Sequence, residues 1–269
     1  MSLDETIADA ITRRLADSPD RPIVVGICGA QGSGKSTVAA ALCTRLDGAV
    51  TLSLDDLYRT RAERQHLAED VHPLLRTRGV PGTHDIGLGL AVLDGIAAGL
   101  ATPLPRFSKA IDDRLPRSEW PVAPAGTRIV LLEGWCVGAM PQAEADLVAP
   151  VNDLERLADA DGVWRRYVNA ALAGEYQTLF GRLDLLILLA APDFETVLTW
   201  RLEQEHALRR SGASGQGVMD DAAVAAFVSH YERLTRHILA EMPARCDLFV
   251  TLGARREARD LVQHRGRVQ

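Results

Sequence analysis

Aromatic residues make up only 5% of this 269-residue sequence, and its positive charges do not outnumber its negative ones. The net charge of -6 and a pI near 5.7 argue against a nucleic-acid binder that relies on bulk charge. Arginines do gather after Gly253, at Arg255, Arg256, Arg259, Arg265 and Arg267, and read as a solvated C-terminal helix with a frayed tail. The four cysteines, Cys28, Cys43, Cys136 and Cys246, show no paired spacing, which excludes a disulfide framework and a cysteine zinc site. They are expected to be reduced, with Cys28 a buried strand-end thiol, in a cytoplasmic protein. No apolar run approaches the ~20 residues that a membrane span needs. The longest, LDLLILLAAP at 183–192, suits a buried strand. Residues 1–20 are polar and acidic with no apolar h-region, so no secretory leader is expected. There is no N-K-x-D base-reading motif of a GTP switch, no L-S-G-G-Q signature of a transporter ATPase, no internal repeat and no clear linker.

What is present is a composition of 47% hydrophobic and 25% charged residues, ordinary for one large α/β domain. Apolar runs predict strands at IVVGIC (23–28), VTLSLD (50–55), RIVLLEGW (128–135), LDLLILLA (183–190) and CDLFVTL (246–252). Helical patterns separate them, at 4–16, 36–46, 86–100, 163–180, 193–210 and 220–242. Residues 102–126 carry Pro103, Pro105, Pro116, Pro121 and Pro124 and cannot be regular for long. Near-continuous apolar strands alternating with helices imply a parallel sheet covered on both faces. Ligands in such sheets sit at the carboxyl ends of strands, so the informative residues follow each strand.

The first strand runs into CGAQGSGKST (28–37), which fits G-x-x-x-x-G-K-[ST] with Gly29, Gly34, Lys35 and Ser36 at the fixed positions. Glycine lets the backbone turn inward, and the turned N–H groups of Gly29, Ala30, Gln31, Gly32, Ser33, Gly34, Lys35, Ser36 and Thr37 form an anion nest at a helix N-terminus. Strand before and helix after confirm the motif. Lys35 can reach the β- and γ-phosphates of ATP, and Ser36 can ligate Mg²⁺.

The second strand ends in Ser53-Leu54-Asp55-Asp56-Leu57-Tyr58. One carboxylate beside a triphosphate can accept a hydroxyl proton and another can hold Mg²⁺. As strand neighbours, Asp55 and Asp56 are expected to point to opposite faces and do different work. The third strand end places Glu133 at a Walker-B-like magnesium position, with Gly134 leaving room beside it. The loop RGVPGTHD offers Thr83, His84 and Asp85 to hydroxyls, and PRFSKAIDDR offers Arg106, Lys109 and Arg114 to an anion. Arg201, Arg209 and Arg210 lie on a helix leading into SGASGQG (211–217), an order that suits a lid over about 193–220, although a surface helix with an i,i+4 pair such as Glu205–Arg209 fits as well.

Taken in order, GAQGSGKST, SLDDLY, RGVPGTHD, LPRFSKAIDDR, LEGW, YVNAALAGEY and WRLEQEHALRR resemble the D-glycerate 3-kinase family, P-loop kinases related to uridine kinase, phosphoribulokinase and pantothenate kinase. The resemblance runs from about Ile23 to Leu252. It implies a five-stranded parallel P-loop core with a helical lid, a single domain over 1–269, and ATP-dependent phosphorylation of the 3-hydroxyl of D-glycerate. It implies Asp55 as catalytic base and magnesium contact and Glu133 as the magnesium glutamate. Asp56, Tyr58, His84, Asp85, Arg106 and Lys109 would line the acceptor side.

A small anionic acceptor is expected to need a cation from Arg106, Lys109 or Arg114, whereas a nucleoside would want aromatic stacking that Tyr58, Phe107 and Trp120 scarcely supply. Two other readings stand beside this one. One is a kinase of the same group acting on a sugar, nucleoside or pantothenate-like alcohol. The other is a nucleotide-dependent switch or ATPase.

Overall fold

The computed structural model of the chain describes residues 2–210 and 219–264. Helix α1 (Leu3–Ala16) opens on a reciprocal cap between Ser2 and Glu5 and leads to β1 (Ile23–Gly29), the phosphate loop and α2 (Lys35–Arg45). Strand β2 (Ala49–Ser53) passes into a 3₁₀ turn at Leu54–Leu57. Next come α3 (Arg61–Asp70) and α4 (Ile86–Ala97). The proline-rich segment forms two minimal ladders: β3 (Thr102–Pro103) with β6 (Val122–Ala123), enclosing β4 (Phe107–Ser108) with β5 (Asp113–Arg114). After β7 (Ile129–Gly134) follow α5 (Asp153–Ala158), α6 (Val163–Ala171) and α7 (Gln177–Phe180). Then come β8 (Leu185–Ala190), α8 (Phe194–Arg210), α9 (Asp221–Glu241), β9 (Leu248–Leu252) and β10 (Ala258–Gln263).

The main sheet has six strands in the order β10-β9-β8-β1-β7-β2. Five are parallel, as the sequence implies, and β10 is added antiparallel to β9. The expected C-terminal helix is therefore an edge strand over Ala258–Gln263. Its composition is polar because only Leu261 turns partly inward, so no apolar run marks it, and the open edge of β9 decides its pairing.

Alternate residues of each buried strand feed two cores. Val25 and Ile27 of β1, with Leu131 and Ile187, pack under α1, α2 and α8 through Ile7, Leu42 and Trp200. Cys28, Val130, Leu132 and Leu188 face the other way, against Leu93, Tyr176 and Tyr231. Deleting the Leu131 side chain to alanine should cost about 2–5 kcal/mol at such a fully buried position. The carboxyl ends of β1, β2 and β7 come together, with Ser53 in register with Glu133 and Cys28 with Gly134. A Cβ on Gly134 would lie 2.6 Å from Leu54 Cβ, so the glycine lets the turn after β2 close onto β7. The helix expected at 163–180 is interrupted by a π-turn at Leu172–Tyr176, with Gly174 at φ -94°, ψ -111°. Among the described residues no helix is long and apolar enough to cross a membrane.

Candidate active site

The loop after β1 is shaped by left-handed glycines, Gly32 at φ +80° and Gly34 at φ +86°. A Cβ on Gly32 would stand 2.8 Å from Trp200 Cβ, while one on Gly34 would meet nothing within 4 Å. Gly32 is thus pressed against α8, and Gly34 opens onto the space where phosphates would lie. Gly34 caps α2 with no side-chain hydrogen bond, which leaves the first-turn N–H groups of the helix for an anion. Ala30 closes the loop by accepting the Ser33 N–H at 3.1 Å. Lys35 has no ion pair among the described residues, and Ser36 and Thr37 are exposed.

Two residues outside the sequence motif complete the loop. Arg256, itself at φ +67°, donates from Nε to the Gly32 carbonyl at 2.7 Å, and its guanidinium lies 5.3 Å over the buried Trp200 ring. Nothing local in the sequence separates Arg256 from its neighbouring arginines. Its role comes from the turn between β9 and β10. Cys28, by contrast, is a closed matter: burial pushes its thiol up to about 12, and it donates to the Trp135 carbonyl.

Glu133 is buried at the end of β7 and accepts the Ser36 hydroxyl at 3.2 Å through Oε1. Its Oε2 is buried with no partner. An orphaned carboxylate oxygen beside a P-loop serine fits a hard divalent cation. Among the described residues no three His, Cys, Asp or Glu side chains converge on one point. Protein ligation would thus be sparse, with phosphate and water completing it, as Mg²⁺ prefers.

Asp55 and Asp56 stand in the 3₁₀ turn rather than in the strand, and they do separate work. Tyr58 donates its hydroxyl to Asp55 Oδ1 at 2.7 Å, and Lys109 Nζ donates to Oδ2 at 2.5 Å. Burial pushes the Asp55 carboxyl up, but the Lys109 and Lys35 cations override it and hold it down at about 2. Asp56 accepts Arg106 Nη1 at 2.9 Å and the Phe107 N–H at 3.0 Å, so both its oxygens secure the β4–β5 hairpin. Burial raises its carboxyl.

The hairpin is further held by Asp112, in a left-handed conformation, which pairs with Arg64 at 2.9 Å and with Arg78. Arg114 donates to Asp85 Oδ2 at 3.1 Å and to the Tyr58 carbonyl at 3.0 Å. Asp85 also caps α4 by accepting the Leu88 N–H. Thr83, expected to meet a hydroxyl, is fully buried and used in its own turn, donating to the Val80 carbonyl and accepting the Gly79 N–H. His84 is fully buried against Tyr58, with ring centroids 4.8 Å apart. Tyr176 accepts the Gly82 N–H at 3.0 Å and shares a hydrogen bond of 2.5 Å with His84 Nδ1, and His84 Nε2 is left without a partner among the described residues. Burial pulls His84 down to about 3. Arg59, missed in the sequence, donates from Nε to the Gly82 carbonyl and holds Glu175 only loosely, at 3.8 Å.

The structure gives the arginines of α8 other partners. Arg201 pairs with buried Glu205 at 2.9 Å, and Arg209 pairs with Asp221 at the start of α9, so the expected Glu205–Arg209 pair is replaced. Arg210 is exposed. The first half of α8 is packed into the core through Phe194, Val197 and Trp200, and SGASGQG falls outside the described residues.

The chain is similar to known kinases. An AAA domain model matches residues 24–83, the segment that holds the phosphate loop and both aspartates. The chain is 38% identical over 249 residues to an uncharacterized kinase, mug58, of Schizosaccharomyces pombe, covering 86% of this chain and 87% of that one. It is 32% identical over 225 residues to the chloroplastic D-glycerate 3-kinase of Arabidopsis thaliana, covering 78% of this chain and 46% of that longer protein. In structure it superposes on D-glycerate 3-kinase from Cryptococcus neoformans with a TM-score of 0.80, covering 98% and 100% of the two chains at 24% identity, a likeness of fold. A phosphate loop, an acidic strand end beside it and near-complete coverage of a kinase relative lead to one conclusion: the chain belongs to the P-loop kinase family that contains D-glycerate 3-kinase, and it is an ATP-dependent phosphotransferase acting on an alcohol.

Proposed function

We propose that this kinase phosphorylates the 3-hydroxyl of D-glycerate. The observation that carries the reading is Asp55, a carboxylate held in its ionised form by Lys109 and the phosphate-loop Lys35, whose Oδ2 is engaged by the exposed side chain of Lys109. The name of the plant relative supplies the acceptor, and the cations gathered near Asp55 support a polar acid, while the Tyr58 ring is buried between His84 and Phe107 rather than offered to a nucleobase.

In this mechanism the loop of Gly29–Thr37 binds the ATP phosphates through backbone N–H groups, and Lys35 neutralises the transferring group. Arg256 keeps the loop in shape from below. Tyr58 fixes Asp55 Oδ1, so Oδ2 is the atom that meets the acceptor hydroxyl once Lys109 swings away. Oδ2 takes the proton as the hydroxyl attacks, and the released Lys109 faces the phosphoryl oxygens. Ser36 and Glu133 would hold Mg²⁺, which when bound supplies charge neutralisation across the phosphates. Asp56 and Arg106 act by holding the hairpin rather than by touching the acceptor.

ADP release from Mg-ATP should be stimulated by D-glycerate and far less by L-glycerate, uridine, pantothenate or ribulose 5-phosphate. The product should be 3-phosphoglycerate by ³¹P NMR. Saturable turnover with another alcohol and none with D-glycerate would retain the kinase and overturn its substrate.

A further inference from the structure

The proposal above requires a cation for the acceptor's carboxylate, and most cations around Asp55 are already committed. Arg106 holds Asp56 and Arg114 holds Asp85. Arg64 donates to the carbonyls of Arg59, Arg76 and Asp112, and Arg78 is paired with Asp112. Lys109 sits on Asp55 itself. Withdrawing Arg106 would leave Asp56 without its ion pair, and withdrawing Arg114 would strip the Asp85 Oδ2 and the Tyr58 carbonyl of their donor.

Arg59 differs from these. It follows Tyr58 directly, and its N–H donates to the Thr83 carbonyl, so it is fixed to the Tyr58–His84 bridge beside Asp55. Its Nε anchors to the Gly82 carbonyl at 3.2 Å, which orients the guanidinium plane. Neither terminal nitrogen has a hydrogen bond within the described residues, and the side chain keeps 29% exposure. The nearest carboxylate, Glu175 Oε1, stops at 3.8 Å, beyond hydrogen-bond reach.

A second observation comes from the other wall. Glu175 stands in the π-turn Leu172–Tyr176, a departure from helix of the kind that gathers at functional sites. The same turn delivers Tyr176 to His84. Burial raises the Glu175 carboxyl despite Arg59, which fits a residue holding a place rather than a tight partner.

We infer that Arg59 is the residue that binds the acceptor's carboxylate, with its two terminal nitrogens gripping both oxygens while Glu175 moves aside. The inference rests on the reading of the acceptor as a small hydroxy acid. It makes the specificity of the site depend on a planar fork that lysine cannot imitate.

The test is calorimetric binding of D-glycerate to the full chain with Mg²⁺ and a non-hydrolysable ATP analogue. R59Q should weaken D-glycerate by about 30-fold or more, the scale of lost charge-assisted hydrogen bonds, with nucleotide affinity unchanged. R59K, which keeps charge without the fork, should fall between, and it carries the test if R59Q does not fold. Neutral D-glyceramide should bind wild type and R59Q alike, and E175Q should tighten D-glycerate. Equal D-glycerate affinity in wild type and R59Q overturns the inference. So does a wild type that binds neither D-glycerate, L-glycerate nor glycolate. Arg59-dependent binding without turnover would refute the substrate and leave Arg59 its role. Turnover without Arg59 dependence would do the reverse.

Discussion

Around Gly29–Thr37 the cation Lys35 has no ion pair among the described residues and the N-cap Gly34 supplies no side-chain cap, whereas around Asp55 the carboxylates are matched to cations: Asp55 to Lys109, Asp56 to Arg106, Asp85 to Arg114. The two halves of the site prepare for different partners. A triphosphate brings several charges, so the loop can wait with its N–H groups turned inward and be satisfied by any nucleotide that fits. On the proposed reading the acceptor brings one carboxylate and a hydroxyl, and its half of the site is held together by internal pairs, of which only the loosest would exchange. Affinity for phosphate is thus built into the backbone, and choice of acceptor into side-chain pairing.

The sharpest way to separate the halves is Asp55→Asn. Phosphoryl transfer should fall about 10³-fold or more, with nucleotide affinity within a few-fold of wild type, measured by ADP release and calorimetry. If Asp56→Asn were inactive for chemistry and Asp55→Asn near normal, the two aspartates would exchange roles. Gly32→Ala attacks the nucleotide half instead. With φ at +80° and Trp200 Cβ 2.8 Å away, a methyl group should destabilise the fold by about 1–3 kcal/mol and weaken ATP more than acceptor.

Lys109→Met tests the pairing of Asp55 through pH. With Asp55 held at about 2, below its usual value, its ionised form contributes stability that is full above about pH 4 and is lost as pH falls toward 2. Removing Lys109 lets burial prevail, so the acid limb of kcat/KM should move to higher pH by about 1 unit. His84, held at about 3 by burial, stays neutral and should add no inflection between pH 5 and 8. Smallest of all, Arg209→Ala breaks an exposed pair with Asp221 and should leave both the melting temperature and kcat/KM unmoved. A large loss of ATP affinity in that variant would return α8 to the nucleotide half.

The halves also differ in how far they can be read from residues alone. The phosphate loop is legible because one backbone conformation needs glycine at fixed spacing, and the strand and helix around it are contiguous. Glu133 is legible as an acid at the end of an apolar strand, and Asp55 as an acid in the turn directly after one. Arg256 is not, since it reaches Gly32 across more than two hundred residues of chain through a turn that the sheet edge creates. Thr83 and Asp85 look like free hydroxyl-binding groups in sequence and are used inside the fold, one in a turn and one as a helix cap. The edge strand β10 reads as helix because an exposed strand needs no hydrophobic run.

Sequence by itself determined the parallel α/β layering, the phosphate loop and the acids at the strand ends, because periodicity, glycine conformation and strand polarity act over neighbouring residues. Tertiary structure alone decided which cation meets which carboxylate: that Arg106 belongs to Asp56, Arg114 to Asp85, Lys109 to Asp55, and that Arg59 keeps its fork open. Ion pairing depends on a few ångströms between side chains from distant segments, and no local pattern encodes that distance.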